Sequence, residues 1–284
     1  MIKELWTSVF TSAPLWARQI GFVNASVALE ERAKRCRKAW QAHIEACHEV
    51  IKSNWPQEAK KVLIVGSGPM IEIPTNWILN HTSAQLVLLD AVHPRQVRKW
   101  LALLPSDHSS RIELVEVDVA GAADLLKKRD WSRFEALEFA PPEMKGRFDF
   151  VISANILSQL ALDPYSYYWG DKRRSLSRGL KALLNKIKSH ESSLEGDSQF
   201  FVRLAKKMGD DHISWLKKLS DRVLIYSDIE RVYFNQKNEP YEVAPSAYVL
   251  KAGELKKEWE WMISPIGESS RQYGFYMKVQ ARML

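Results

Sequence analysis

Lys61-Val-Leu-Ile-Val-Gly-Ser-Gly-Pro69, followed by Leu86-Val-Leu-Leu-Asp90, decides the fold class of this chain. An apolar, strand-forming run enters a turn in which Gly66 and Gly68 reach backbone angles closed to other residues and let the main chain approach a ligand closely. The second run ends on Asp90. A carboxylate at the tip of a second parallel strand is placed to accept hydrogen bonds from a ribose 2′- and 3′-hydroxyl pair. Together the two runs read as a cradle for an adenosine-type ligand. Pro69 and Met70 stand where the dinucleotide fingerprint has its third glycine, which makes a nicotinamide-dependent oxidoreductase the weaker reading.

The order of the neighbouring elements supports the cradle. A helical stretch from Pro74 to His81 precedes the Asp90 strand, a helix from Arg95 to Leu104 comes after it, and Arg111-Ile-Glu-Leu-Val-Glu-Val-Asp118 reads as a third strand. Such alternation implies parallel strands joined by right-handed crossovers, with Gly66, Asp90 and Asp118 together at the carboxyl edge of one sheet. Arg147-Phe-Asp-Phe-Val-Ile-Ser-Ala-Asn-Ile-Leu157 supplies a fourth strand and Arg222-Val-Leu-Ile-Tyr-Ser-Asp228 a fifth. Asp163-Pro-Tyr-Ser-Tyr-Tyr-Trp-Gly170 is expected to form an aromatic loop, and helices are expected over 173–188 and 200–219 with a polar connection at 189–198. Glu258 to Ser264 and Gly274 to Ala281 read as a terminal hairpin.

From about Lys60 onward the chain resembles the class I S-adenosylmethionine-dependent methyltransferases. The resemblance implies an α/β fold, a Rossmann-like, mostly parallel seven-stranded sheet with a terminal antiparallel hairpin, here preceded by an N-terminal helical cap. It divides the chain into a cap at 1–58 and a cofactor-binding domain at 59–284. In that family the glycine loop wraps the methionine part of S-adenosyl-L-methionine, the second-strand acid holds the ribose, and an Asp after the third strand meets the adenine. Gly66, Ser67, Gly68 and Pro69, then Asp90, then Asp118 with Val119, match by type and order. Asn155 and Gln159 fall where residues after the fourth strand face the transferred methyl group.

Two departures matter. Most members carry an acid two positions before the first glycine, where this chain has Ile64, so the methionine amino group needs another partner, and Glu72 is the candidate. The Gly-Ser-Gly-Pro turn is also similar to that of nicotianamine synthases, which transfer the aminocarboxypropyl arm of the same cofactor. The resemblance therefore implies methyl transfer to a small molecule first. Aminocarboxypropyl transfer, RNA methylation and a non-catalytic scaffold stand as alternatives.

Methyl transfer from a sulfonium needs alignment and exclusion of water more than it needs a triad. His93 is a candidate base, set against a simpler part in starting the helix at Pro94. Asn155 is a candidate hydrogen-bond acceptor for the nucleophile, set against a helix-capping part. Trp16, Arg18, Arg32, Arg35, Trp40 and His43 are expected to form an acceptor pocket, with the Tyr165 and Tyr168 segment as its other wall. Leu29, Ala33, Cys36, Trp40, His43, Cys47 and Ile51 step by four and three, which predicts one stripe of a long helix ended by Asn54-Trp55-Pro56. Cys36, His43, Cys47 and His48 lie along it, but His48 is turned about 100° from Cys47, and no metal is expected.

A hydrophobic share of 46% and a charged share of 26% are those of a globular chain. No apolar stretch approaches the ~20 residues that cross a bilayer. Lys3 and Glu4 precede an apolar run broken by Pro14, unlike a secretory leader, and two cysteines too far apart to pair suit a reducing compartment; a cytoplasmic protein with no membrane partner is expected. The net charge is +7, and Asp171 to Lys218 holds twelve Lys or Arg against six acids, a surface that suits RNA or another anion, or a plain solvated helix face.

Overall fold

The computed structural model describes residues 13–180 and 191–284, with side chains described except at 172–180 and 191–197. Three helices come first: α1 (Leu15–Ile20), α2 (Phe22–Arg35) and α3 (Arg37–Asn54). Then β1 (Lys61–Val65), α4 (Thr75–His81), β2 (Gln85–Asp90), α5 (Arg95–Leu103), α6 (Ser106–Ser109) and β3 (Ile112–Glu116) alternate. They continue through α7 (Ala123–Lys128), α8 (Trp131–Glu135), β4 (Phe150–Ala154), α9 (Leu162–Leu180), α10 (Glu191–Leu219) and β5 (Val223–Asn235). β6 (Pro240–Pro245), β7 (Glu254–Ser264) and β8 (Tyr273–Met283) close the chain.

The strands form one sheet in the order β3-β2-β1-β4-β5-β8-β7. The first five are parallel; β8 inserts antiparallel between β5 and β7. The order reverses between β1 and β4, which opens a crevice at their carboxyl ends. β4 is buried throughout because helices cover both its faces. The expected seven strands are joined by an eighth: β5 outruns β4, and its free edge beyond Tyr226 is taken by β6, which pairs with Glu230–Phe234. This is a Rossmann-like, mostly parallel sheet with antiparallel terminal strands, one strand larger than expected.

Three expectations about local structure are corrected. The single N-terminal helix is two, because Cys36 (φ −95°, ψ 12°) leaves helical geometry and lets each half present a different face. α2 buries Val23 and Val27 and leaves Leu29 exposed, whereas α3 buries Trp40, His43, Cys47 and Ile51 against the sheet. Trp40 Nε1 donates to the Ile263 carbonyl on β7 at 3.1 Å. The aromatic segment is the first part of α9 rather than a loop, since Pro164 in a first helical turn gives up an N–H that has no partner there. The part of the expected polar connection from Glu191 onward is helical, since α10 begins there; residues 181–190 lie outside the described residues.

Both cysteines are free and buried. No helix among the described residues is long and apolar enough to cross a membrane. The Lys- and Arg-rich run at 172–188 lies outside the described side chains.

Candidate active site

The turn after β1 is held by its own amides. Gly66 (φ +77°) donates its N–H to the Leu89 carbonyl at 2.8 Å, and Gly68 (φ +44°) donates to Asp90 Oδ2 at 2.7 Å. The Val92 N–H reaches Asp90 Oδ1 at 3.3 Å. The Asp90 side chain thus stands at the lip of the glycine turn with lone pairs remaining on both oxygens. Burial pushes its carboxyl above the ordinary range, against the pull of His93 and of the Gly68 and Val92 amides. Asp118 caps the next turn, accepting the Ala120 N–H at 3.0 Å and the Ala123 N–H at 2.6 Å. Burial raises its carboxyl too, opposed by those amides.

Every residue expected at the cofactor lines one cleft of about 360 Å³: Gly66, Ser67, Gly68, Pro69, Glu72, Asp90, Asp118, Val119 and Asn155. Gln159 lines it as well, its Nε2 donating to the Asn155 carbonyl at 2.8 Å. Asn155 is a non-glycine residue at φ +50°, and its Oδ1 accepts the Asp228 N–H at 3.3 Å. That bond ties β4 to β5; no helix starts there for it to cap. Met70, also on the cleft, sits at φ +62°. Left-handed backbone at two non-glycine residues facing one cavity is strain of the kind that gathers at ligand sites.

His93 is corrected as a base. It is fully buried and absent from the cleft wall, bonded through Nε2 to Ser67 Oγ at 3.1 Å, while its backbone N–H donates to Glu116 Oε1 at 2.9 Å. Its part is to tie the glycine turn to the tips of β2 and β3. Glu116 also takes Arg98 at 2.6 Å. Burial raises the Glu116 carboxyl, but the bonds from His93 and Arg98 outweigh that and bring it down to about 2. A depressed folded-state value means the charge stabilises the fold above about pH 4.5, and this contribution is lost as pH falls toward 2. Glu116→Gln is expected to cost about 1–2 kcal/mol at neutral pH, with the gap from wild type closing near pH 2 in thermal melts.

Most of the expected acceptor-pocket residues also lie elsewhere. Trp40 and Tyr168 are core side chains, Tyr168 Oη donating to Glu135 Oε1 at 2.5 Å. Tyr165 stacks among Trp169, Phe200 and Phe201, because the helical turn of α9 swings both tyrosines inward. Trp16 packs edge-on against Phe22, and Arg18 donates to the Ala13 carbonyl at 3.4 Å. Arg35 points away to Glu268, and His43 is fully buried behind the cleft. Arg32 alone of that set lines it. The pocket wall is instead the α2 face of Phe22, Ser26, Leu29 and Arg32, spaced four, three and three, with Trp261 and Asp163 opposite. That helical spacing was the available signal; the Cys36 break obscured it.

The cleft suits an adenosyl ligand with an amino-acid tail. A Cβ on Gly66 would stand 2.7 Å from the Ala154 carbonyl oxygen, so only glycine fits this turn. Asp90 stands at the turn, Asp118 lines the same cleft, and the indole N–H of Trp261, on the wall, is buried without an acceptor.

No family model matches the chain, and no curated protein matches it in sequence. Among solved structures it is similar to the glycopeptide N-methyltransferase MtfA, at 13% identity over 83% of this chain and 72% of that one, TM-score 0.32. The MtfA complex with (S)-adenosyl-L-homocysteine aligns at 12% identity over 84% of this chain and 71% of that one, TM-score 0.34. The N-terminal domain of EvdMO1 with S-adenosylhomocysteine bound aligns at 10% identity over 85% and 80%, TM-score 0.28. The strand order, rather than these superpositions, defines the fold.

Proposed function

We propose that this protein transfers a methyl group from S-adenosyl-L-methionine to a small-molecule acceptor. The observation that carries the reading is the convergence of the Gly66–Pro69 turn, Asp90 and Asp118 on one cleft at the point where the strand order reverses. The cofactor supplies an already activated methyl group, so the chain's own residues have to align and desolvate rather than activate. Asp90 would accept from the ribose hydroxyls and Asp118 from the adenine amino group. Val119 and Leu160 supply apolar walls. The acceptor space lies between Phe22, Leu29 and Arg32 of α2 and the segment Asn155–Asp163 after β4. A cleft of about 360 Å³ falls in the range of small-ligand sites, as a bound adenosyl cofactor requires.

Thermal melts with S-adenosylmethionine, S-adenosylhomocysteine and NAD test the reading. The two sulfur compounds are expected to raise the melting temperature and NAD to leave it unchanged; the reverse pattern would return the chain to the oxidoreductases. Affinity that falls steeply with salt for an oligoribonucleotide would move the acceptor to RNA.

A further inference from the structure

Glu72 lies on the cleft wall with its side chain 15% exposed, and among the described residues no Lys or Arg pairs with it. Its partner is His43, fully buried, whose Nε2 stands 3.2 Å from Glu72 Oε1. On the other side of the ring, Trp259 Nε1 lies 2.9 Å from His43 Nδ1. An indole nitrogen only donates, so Nδ1 must present its lone pair and the ring proton must sit on Nε2. His43 stacks on Trp261 at 4.1 Å and 9°, which holds the ring plane. Cys47 Sγ is 3.6 Å from Nε2, and the His43, Cys47 and Glu72 ligand atoms gather within 4.8 Å. A metal there would need the lone pair that this tautomer removes from Nε2.

We propose that Trp259 and His43 are positioning residues that lock Glu72 from behind, leaving a fixed, uncompensated carboxylate to seat the α-ammonium of the bound S-adenosyl compound. This rests on the S-adenosylmethionine reading of the cleft. A neutral imidazole orients the carboxylate without cancelling its charge, and a half-buried charge in a cleft requires a counter-ion. Ile64, at the position where an acid is missing, belongs to the same buried cluster as Cys47, Tyr226 and Trp261. Glu72 meets that cluster through His43, which stacks on Trp261 and lies 3.6 Å from Cys47 Sγ. Glu72 therefore brings a negative charge to the side of the sheet where Ile64 offers none. His48 steadies the same segment, its Nε2 lying 3.2 Å from the Ile71 carbonyl oxygen.

The test is isothermal titration of the full chain with S-adenosylhomocysteine and with 5′-methylthioadenosine, which lacks the amino-acid end. Glu72→Gln is expected to weaken S-adenosylhomocysteine about ten- to a hundredfold and to leave methylthioadenosine unchanged. His43→Phe, which keeps the stack but not the donor, should weaken S-adenosylhomocysteine severalfold with methylthioadenosine again unchanged. His43→Gln, whose amide restores an N–H, should recover it. Equal loss for both ligands, or for neither, would overturn the proposal, as would stoichiometric uptake of zinc alone that Cys47→Ala abolishes. Failure of the wild type to bind either adenosine compound would instead strike the cofactor reading itself, and the proposal with it.

Discussion

Asp90→Ala is expected to abolish the rise in melting temperature that S-adenosylhomocysteine gives the wild type. A ligand at a hundredfold its dissociation constant adds about 2.7 kcal/mol, or roughly 5–10 °C at about 2–4 °C per kcal/mol for a domain of this size. Two hydrogen bonds from ribose hydroxyls to a carboxylate contribute about 1.5–3 kcal/mol each. Losing both weakens binding by two orders of magnitude or more, and the shift at that ligand concentration disappears. The unliganded variant should itself melt lower, since the Gly68 and Val92 amides lose their acceptor, a cost of about 1–3 kcal/mol. The ligand-induced shift, not the absolute temperature, is therefore the readout. Asp90→Asn keeps an acceptor for only one of the two amides and should recover part of the unliganded stability but not the shift. A full shift in Asp90→Ala would mean that the ribose site is misplaced.

Within the glycine turn, Gly66→Ala carries the larger expected cost to the fold. The added Cβ would meet the Ala154 carbonyl oxygen at 2.7 Å and Ile156 Cβ at 3.0 Å, both on the neighbouring β4 segment. The backbone at φ +77° adds about 1–2 kcal/mol for a residue with a side chain. Relief of the clash by parting β1 from β4 adds about 1–3 kcal/mol. A total of about 2–5 kcal/mol should lower the denaturant midpoint clearly. Gly68→Ala makes the contrast: its Cβ would stand 3.8 Å from Asp90 Oδ2, an ordinary contact, so its cost is the backbone term alone. Equal destabilisation by the two variants would contradict the close approach of β1 and β4.

The parts of the site built from main chain and strand tips were legible in the sequence. A glycine pair after an apolar run, and acids ending the next two strands, are local signals whose positions derive from strand polarity alone. Glu72 was found through an absence at Ile64, and the cleft includes it. The acceptor side was not legible in the same way. The stripe through Trp40, His43 and Cys47 showed correctly which face of α3 is buried, but periodicity cannot say whether a buried face meets a sheet or a cavity. Here it meets β7. The cluster of aromatic and Pro residues reads as a loop for Tyr165 and Tyr168, whereas Pro164 sits in the first turn of α9 and the helix turns both rings toward the core. Trp261 reaches the cleft from a strand some two hundred residues beyond β1, a contact that only the closed antiparallel end of the sheet creates. Asn155 fell between its two readings, neither capping a helix nor free, because β5 uses its oxygen.

If the crevice at the ends of β1 and β4 receives the adenosyl group, a crystal structure of the protein soaked with S-adenosylhomocysteine should show it there. The ribose hydroxyls should lie within hydrogen-bond distance of Asp90, the adenine beside Asp118 and Val119, and the sulfur facing Asn155 and Gln159. Density for the ligand at any other place on the protein, or in this cleft with Asp90 turned from the ribose, would contradict the account.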